Sequence, residues 1–188
     1  SLSSDLLIAL VVQLGEQLAG MGWRRLVLFN AHGGQIALLQ VAARELRQRC
    51  PEMAVLPCFL WSGVEGLADL LPADELENGL HAGLAETSLM LHQAPELVGD
   101  QRPKDGLPGL DSCPVPPSGW SLEGAAPSAW LMQDLSRSGV IGDSGAASAE
   151  LGLALEQRLL VHWTARFQAL LTSDWPAVEK AADRTSAS

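Results

Sequence analysis

Apolar positions at steps of three and four open the chain: Leu7, Val11, Leu14, Leu18 and Met21. That spacing predicts an amphipathic helix over 4–20, with these residues on its inner face. Ser3 or Ser4 suits the cap, Asp5 suits the positive helix end, and Gly20 and Gly22 supply the stop. The pattern then becomes continuous. Arg25-Leu-Val-Leu-Phe-Asn30 is a short apolar run of the kind that forms a parallel strand buried on both faces. Helical spacing returns over 35–49 with Ile36, Leu39, Ala43 and Leu46, and Pro51 ends it. A second apolar run, 53–60, reads as a strand, with Pro57 favouring an edge or an early exit. Strand, helix and strand this close together make a βαβ unit.

Residues 62–80 are mixed, with a short helix expected at 64–71 and a further helix at 82–93 that Pro95 closes. The segment 99–120 differs in kind. Pro103, Pro108, Pro114, Pro116 and Pro117 alternate with Gly99, Gly106, Gly109 and Gly119. A loop of this length in a compact domain is usually functional or mobile. Ala129 to Leu135 reads as a strand. A turn at 139–145 leads into a long helix over 146–171, with Leu151, Leu155, Leu159 and Trp163 on one ridge. One domain is expected over 1–175, and the polar tail at 176–188 is expected to fray.

Composition narrows what such a chain does. Of 188 residues, 47% are hydrophobic and 18% charged, which excludes wholesale disorder. Acids outnumber bases 22 to 12, for a net charge of −10. Such a surface repels phosphate backbones, so no nucleic-acid partner is expected. No apolar run reaches the roughly 18 residues of a bilayer span, so no membrane partner is expected either. Cys50, Cys58 and Cys113 are too few and too odd for a disulfide framework, which points to a reducing, cytoplasmic setting.

The chemistry-bearing residues fall in three places. Phe29-Asn-Ala-His-Gly-Gly-Gln35 lies between a strand and a helix, where α/β sheets bind ligands. His32 stands at that rim, either as a metal ligand through a neutral imidazole or as a hydrogen-bonding residue of the turn. The adjacent Gly33 and Gly34 allow close backbone approach. Neither phosphate-binding glycine motif is present. Next, Asn78-Gly-Leu-His81-Ala-Gly-Leu-Ala-Glu86-Thr-Ser88 sets a histidine before a helix whose first turns carry an acid. Glu86 suits the helix dipole, or it pairs with His81 in proton transfer or metal binding. Thr87 and Ser88 read as packing residues rather than nucleophiles. Third, Asp143 in Gly139-Val-Ile-Gly-Asp-Ser144 reads first as an N-cap and second as a support beside a metal site.

In order, these segments resemble the creatininase (creatinine amidohydrolase) family. Gly22-Trp-Arg-Arg-Leu-Val-Leu-Phe-Asn-Ala-His-Gly-Gly-Gln35 is similar to its segment ending NGHGGN. His81-Ala-Gly-Leu-Ala-Glu-Thr-Ser-Leu-Met-Leu91 is similar to its segment reading HAG, then ETS, then ML. Gly139-Val-Ile-Gly-Asp143 with Ala147-Ser-Ala-Glu-Leu-Gly152 resembles its third segment. The resemblance implies a three-layer α/β/α sandwich with a mainly parallel sheet. It also implies a small-molecule amide substrate, hydrolysis of a cyclic amide or formamide C–N bond by metal-activated water, and a homo-oligomer. It implies a divalent metal (zinc, manganese or iron), two per complete site. Carried over by position, His32 and Glu86 are metal ligands and His81 is the proton shuttle. Asn30, Gly33 and Gly34 shape the rim, and Asp143 supports it. Ala31, Gln35, Ser144 and Leu84 depart from the usual Gly, Asn, Pro and acid. The family's upstream segment of Glu, His and Asp ligands has no match in residues 1–188. The sequence therefore reads as an N-terminally truncated member, weakly active or inactive alone, and a non-catalytic binding or assembly subunit is the alternative.

Overall fold

A computed structural model describes residues 2–108, 110 and 116–176. Cys113, part of the 99–120 loop and the tail beyond Pro176 lie outside the described residues. The described residues form two compact units, one drawn from 1–62 and 164–188 and the other from 63–163.

The first unit opens with α1 (Ser4–Gly20), then β1 (Arg25–Asn30), α2 (Ile36–Arg49) and β2 (Ala54–Phe59). β1 and β2 pair in parallel over six positions, from Arg25 opposite Ala54 to Asn30 opposite Phe59. The α/β class read from the sequence therefore holds, and Pro57 lies within β2, in a sheet of two strands that are both edges. Gly22, at φ +93°, makes the turn from α1 to β1 that other residues resist. The core is built from Val12, Ala42, Leu46 and Met53, with Ile8, Val11, Leu18, Ala19, Leu26 and Val55 packed against it. Gly15 lets α1 close on α2, because a Cβ there would sit 2.1 Å from Leu46 Cδ2.

That contact corrects the inner face expected for α1. Val11 and Leu18 do face the core, but Leu14 is 57% exposed and Met21 75%. Apolar residues lie on the outer side of the helix too, since Leu6 and Leu10 are exposed as well, so spacing alone could not select the face. The glycine at 15 selects it.

The second unit holds α3 (Ala73–Asn78), α4 (Leu84–Gln93), β3 (Lys104–Asp105), α5 (Met132–Leu135), β4 (Gly142–Asp143) and the first part of α6 (Ala149–Thr172). β3 and β4 pair antiparallel. The helix expected at 64–71 is only a short 3-10 turn at Leu67–Asp69, and the α-helix begins beyond Pro72, which fixes the entry to α3. The strand expected at 129–135 is instead helix α5. Asp134 accepts from the Leu131 amide at 2.8 Å, capping one turn, and Leu135 is buried. The expected 146–171 helix begins at Ala149, where Ser148 Oγ accepts from the Leu151 amide at 3.1 Å. Its inner line is Gly152, Leu155, Leu159 and His162. Gly152 meets Ser88 of α4 so closely that a Cβ would sit 2.0 Å from the Ser88 carbonyl oxygen.

Candidate functional site

In the first unit, β1 delivers Asn30 and His32 to the carboxyl end of the parallel pair. Asn30 is 8% exposed and clamps the turn from both sides. Its Oδ1 accepts from the His32 amide at 3.0 Å, and its Nδ2 donates to the His32 carbonyl at 2.8 Å. This Asx turn fixes the backbone of an exposed histidine and leaves its imidazole unburied. Gly33–Gln35 then form a 3-10 turn whose Gln35 amide also donates to the His32 carbonyl, at 3.1 Å. A side chain at position 34 would press on the ring, with its Cβ 3.0 Å from His32 Nε2, whereas Gly33 faces open space.

In the second unit, His81 and Glu86 come together. His81 is locked by backbone pairing with Ile141: the Leu80 and His81 amides donate to the Ile141 carbonyl at 2.9 and 3.2 Å, and the Ile141 amide donates to the His81 carbonyl at 2.7 Å. The chain then turns through Ala82 at φ +50°, a left-handed conformation costly for a residue with a Cβ. Two groups of α4 hold that turn. Glu86 Oε2 accepts from the Ala82 amide at 2.6 Å, and Thr87 Oγ1 donates to the Ala82 carbonyl at 3.0 Å. His81 Nδ1 lies 4.0 Å from the same Oε2, with the side chains 45% and 40% exposed. That separation is too long for a hydrogen bond and short enough for charge to orient the ring. Thr87 is thus a turn strut, and buried Ser88 accepts from the Ser148 amide at 3.2 Å.

Asp143 begins the short turn Ser144–Ala146 and caps it, its Oδ1 accepting from the Ala146 amide at 3.1 Å. Its Oδ2 lies 3.3 Å from Lys104 Nζ across the β3–β4 pair. Both oxygens are therefore engaged within the second unit.

Two carboxylates of this unit escaped the sequence reading. Glu75 is 7% exposed; its Oε1 accepts from the Leu84 amide and its Oε2 from the Asp143 amide at 3.0 Å. Asp105 Oδ2 gathers the Ser136 and Ser138 hydroxyls at 2.8 and 2.7 Å and the Arg137 and Ser138 amides at 3.1 and 2.9 Å. Donation from Ser138, by its amide and then its hydroxyl, together with Ser136, holds the Asp105 carboxyl well below the usual range. Asp105 thereby pins the loop that delivers Ile141 to His81. Neither acid sits in a motif; Asp105-Gly106 is a turn signal, and nothing local marks Glu75.

His32 and the His81–Glu86 pair belong to different units. Imidazole and carboxylate are the right donors for zinc, manganese or iron, but a catalytic ion normally takes at least three protein ligands. Among the described residues no group of three metal-binding side chains occurs. The donors are suitable in kind and short in number. Among the described residues, no helix is long and apolar enough to cross a membrane.

Comparison with known proteins is consistent across sequence and structure. The creatininase family, described as creatinine amidohydrolase, matches residues 1–167. A mycofactocin precursor peptide peptidase of Mycobacterium tuberculosis is 30% identical over 152 residues, covering 81% of this chain and 51% of that protein. The chain thus spans about half the length of the curated relatives it matches. A Bacteroides fragilis protein provisionally described as a creatinine amidohydrolase superposes with a TM-score of 0.73 at 23% identity, over 93% of this chain and 64% of that one. A creatininase structure designated Mn superposes with a TM-score of 0.65 at 26% identity, over 92% and 66%. The fold is of the creatininase type, and this chain belongs to the creatininase (creatinine amidohydrolase) family.

Proposed function

We propose that this chain is part of a metal-dependent amidohydrolase that cleaves a non-peptide C–N bond, in a cyclic amide or a formamide. The observation that carries the reading is the turn in which an exposed imidazole and an exposed carboxylate lie 4.0 Å apart on a strained, doubly strutted backbone. Strain of this kind persists where the surroundings over-determine it, and it clusters at functional sites. His32 and Glu86 would each serve as a metal ligand, with Asn30, Gly33 and Gly34 shaping the rim around His32 and Asp143 bracing the second unit. When bound, such an ion brings the pKa of water towards neutrality and polarises the amide carbonyl. His81 would carry the proton to the departing nitrogen, so that the C–N bond breaks to give a neutral amine.

Among the described residues the donors fall short of a full set, so the proposal requires further ligands beside His32 and Glu86, and two ions per complete site are expected. A homo-oligomer and a cytoplasmic setting belong to the same proposal. A second reading of the substrate, a peptide amide, is favoured by the name of the mycobacterial relatives, which are peptidases of a precursor peptide.

Metal analysis of the full-length protein tests the function, followed by a panel of cyclic amides, formamidopyrimidines and a precursor-type peptide. About two transition ions per chain are expected, with loss of metal in His32→Ala and Glu86→Gln and loss of turnover in His81→Ala. A metal-free full-length protein that turns over none of these substrates would overturn the enzyme reading in favour of a binding or assembly subunit.

A further inference from the structure

We propose that Glu75 is the positioning residue of the His81–Glu86 turn, acting through the amides of Leu84 and Asp143. The inference rests on the reading of that turn as the reacting part of the site. Glu75 lies on α3, is 7% exposed, and points both carboxylate oxygens at backbone donors rather than at a cation. One donor, Leu84, opens α4, two residues before Glu86. The other, Asp143, comes two residues after Ile141, whose backbone pairs with that of His81. A single buried side chain thus ties together the two backbone segments that set where His81 and Glu86 stand.

The surroundings are shaped to that carboxylate. A Cβ on Gly83 would lie 2.2 Å from Glu75 Oε1, one on Gly142 2.6 Å, and one on Gly79 2.6 Å. Three glycines therefore make room for the acid, and Gly142 does so at φ +143°. Burying a carboxylate costs far more than burying an apolar side chain of similar size, so packing alone does not account for an acid here.

The arrangement also divides the labour at the start of α4. The first helical amide, Leu84, is an orphan donor that an acid of the same turn would normally attract. Glu75 takes that amide from the buried side. Glu86 is left to strut Ala82 with Oε2, while its Oε1 takes no hydrogen bond among the described residues. Without Glu75, the first-turn amides would compete for Glu86 and draw it away from His81.

Glu75→Gln in the full-length protein tests this. The amide keeps the length and one acceptor but turns an N–H towards one of the two backbone donors. Hydrogen exchange at the Leu84 or Asp143 amide is expected to rise about tenfold or more. kcat is expected to fall about 10- to 100-fold with KM nearly unchanged, as for residues that orient a metal site from behind. A merely structural carboxylate would lower Tm and leave kcat of the folded protein intact. If the variant does not fold, Glu75→Asp, which keeps the charge and shortens the reach, goes through the same measurements. Unchanged exchange at both amides, or unchanged kcat alongside inactive His81→Ala and Glu86→Gln, overturns the inference alone. Full activity in His81→Ala and Glu86→Gln overturns the reading of the site, and the inference with it.

Discussion

Gly152 is where α6 lies directly on α4, and replacing it with alanine is a quantitative test of that crossing. A Cβ at this position would meet Ser88 O at 2.0 Å, Ser88 C at 2.6 Å and His92 Cβ at 2.7 Å. The nearest two atoms are backbone, and Ser88 is wholly buried with its hydroxyl bonded to the Ser148 amide. No rotamer change relieves the overlap, so the helices must separate. Overpacking typically costs about 1–3 kcal/mol, and a backbone collision sits at about 3. Alanine returns about 1 kcal/mol of helix propensity over glycine. The net loss is then about 2 kcal/mol, which lowers Tm by about 4–8 °C in a chain of this size. Thermal and urea unfolding followed by circular dichroism would measure it. Gly20→Ala is the internal control. That glycine ends α1 with nothing within 4 Å, so its replacement should be neutral or stabilising by up to about 1 kcal/mol. A Gly152→Ala protein as stable as the wild type, or less stable only by as much as the control shifts, would refute the close crossing.

Three further outcomes are expected. Leu46→Ala opens a cavity against Gly15 and Val12 in the first unit's core and should cost about 2–5 kcal/mol, read as a lower urea midpoint at unchanged m. Asn30→Ala removes both bonds to the His32 backbone and should cost about 1 kcal/mol, with faster exchange at the His32 amide while α2 stays protected. Asp105→Asn should destabilise the protein at neutral pH. Because the folded carboxyl titrates below its unfolded value of about 3.9, its contribution is present above that pH and fades as pH falls towards the folded value. Wild type and variant should therefore converge in stability below about pH 4 in urea titrations run at several pH values, and a constant gap would rule the carboxylate network out.

What the sequence revealed, and what it hid, follows from the range of the interactions. β1, α2, β2 and the body of α6 were legible because a continuous apolar run or a 3.6-residue period carries its own burial. The face of α1 was not, because it is chosen by one glycine against a leucine 31 positions away (Gly15 and Leu46). The helix at α5 reads as a strand because Trp130, Leu131 and Met132 make a short apolar run too brief to show a period, while its capping acid, Asp134, acts only once the turn has formed. At the site, the histidines and Glu86 stood out because motif and local turn coincide. Glu75 did not, because its partners lie 9 and 68 positions along the chain.

Glu86 shows why the structural and chemical readings of such a residue need not compete. As a helix-start acid it was expected to serve the dipole, and as a motif acid it was expected to serve a metal. The geometry shows what one of its two oxygens does. Oε2 is committed to the Ala82 amide, and that bond sustains a non-glycine residue at φ +50°, a conformation that costs about 1–2 kcal/mol. His81 depends on the same turn, so the position of one candidate group is fixed by the other. An acid too short to reach Ala82 would release the strain and move His81 even before any ligand was lost. The local cost of the turn is thus the price of holding an imidazole and a carboxylate in register on an exposed edge, the arrangement that the proposed proton transfer to a departing nitrogen would use.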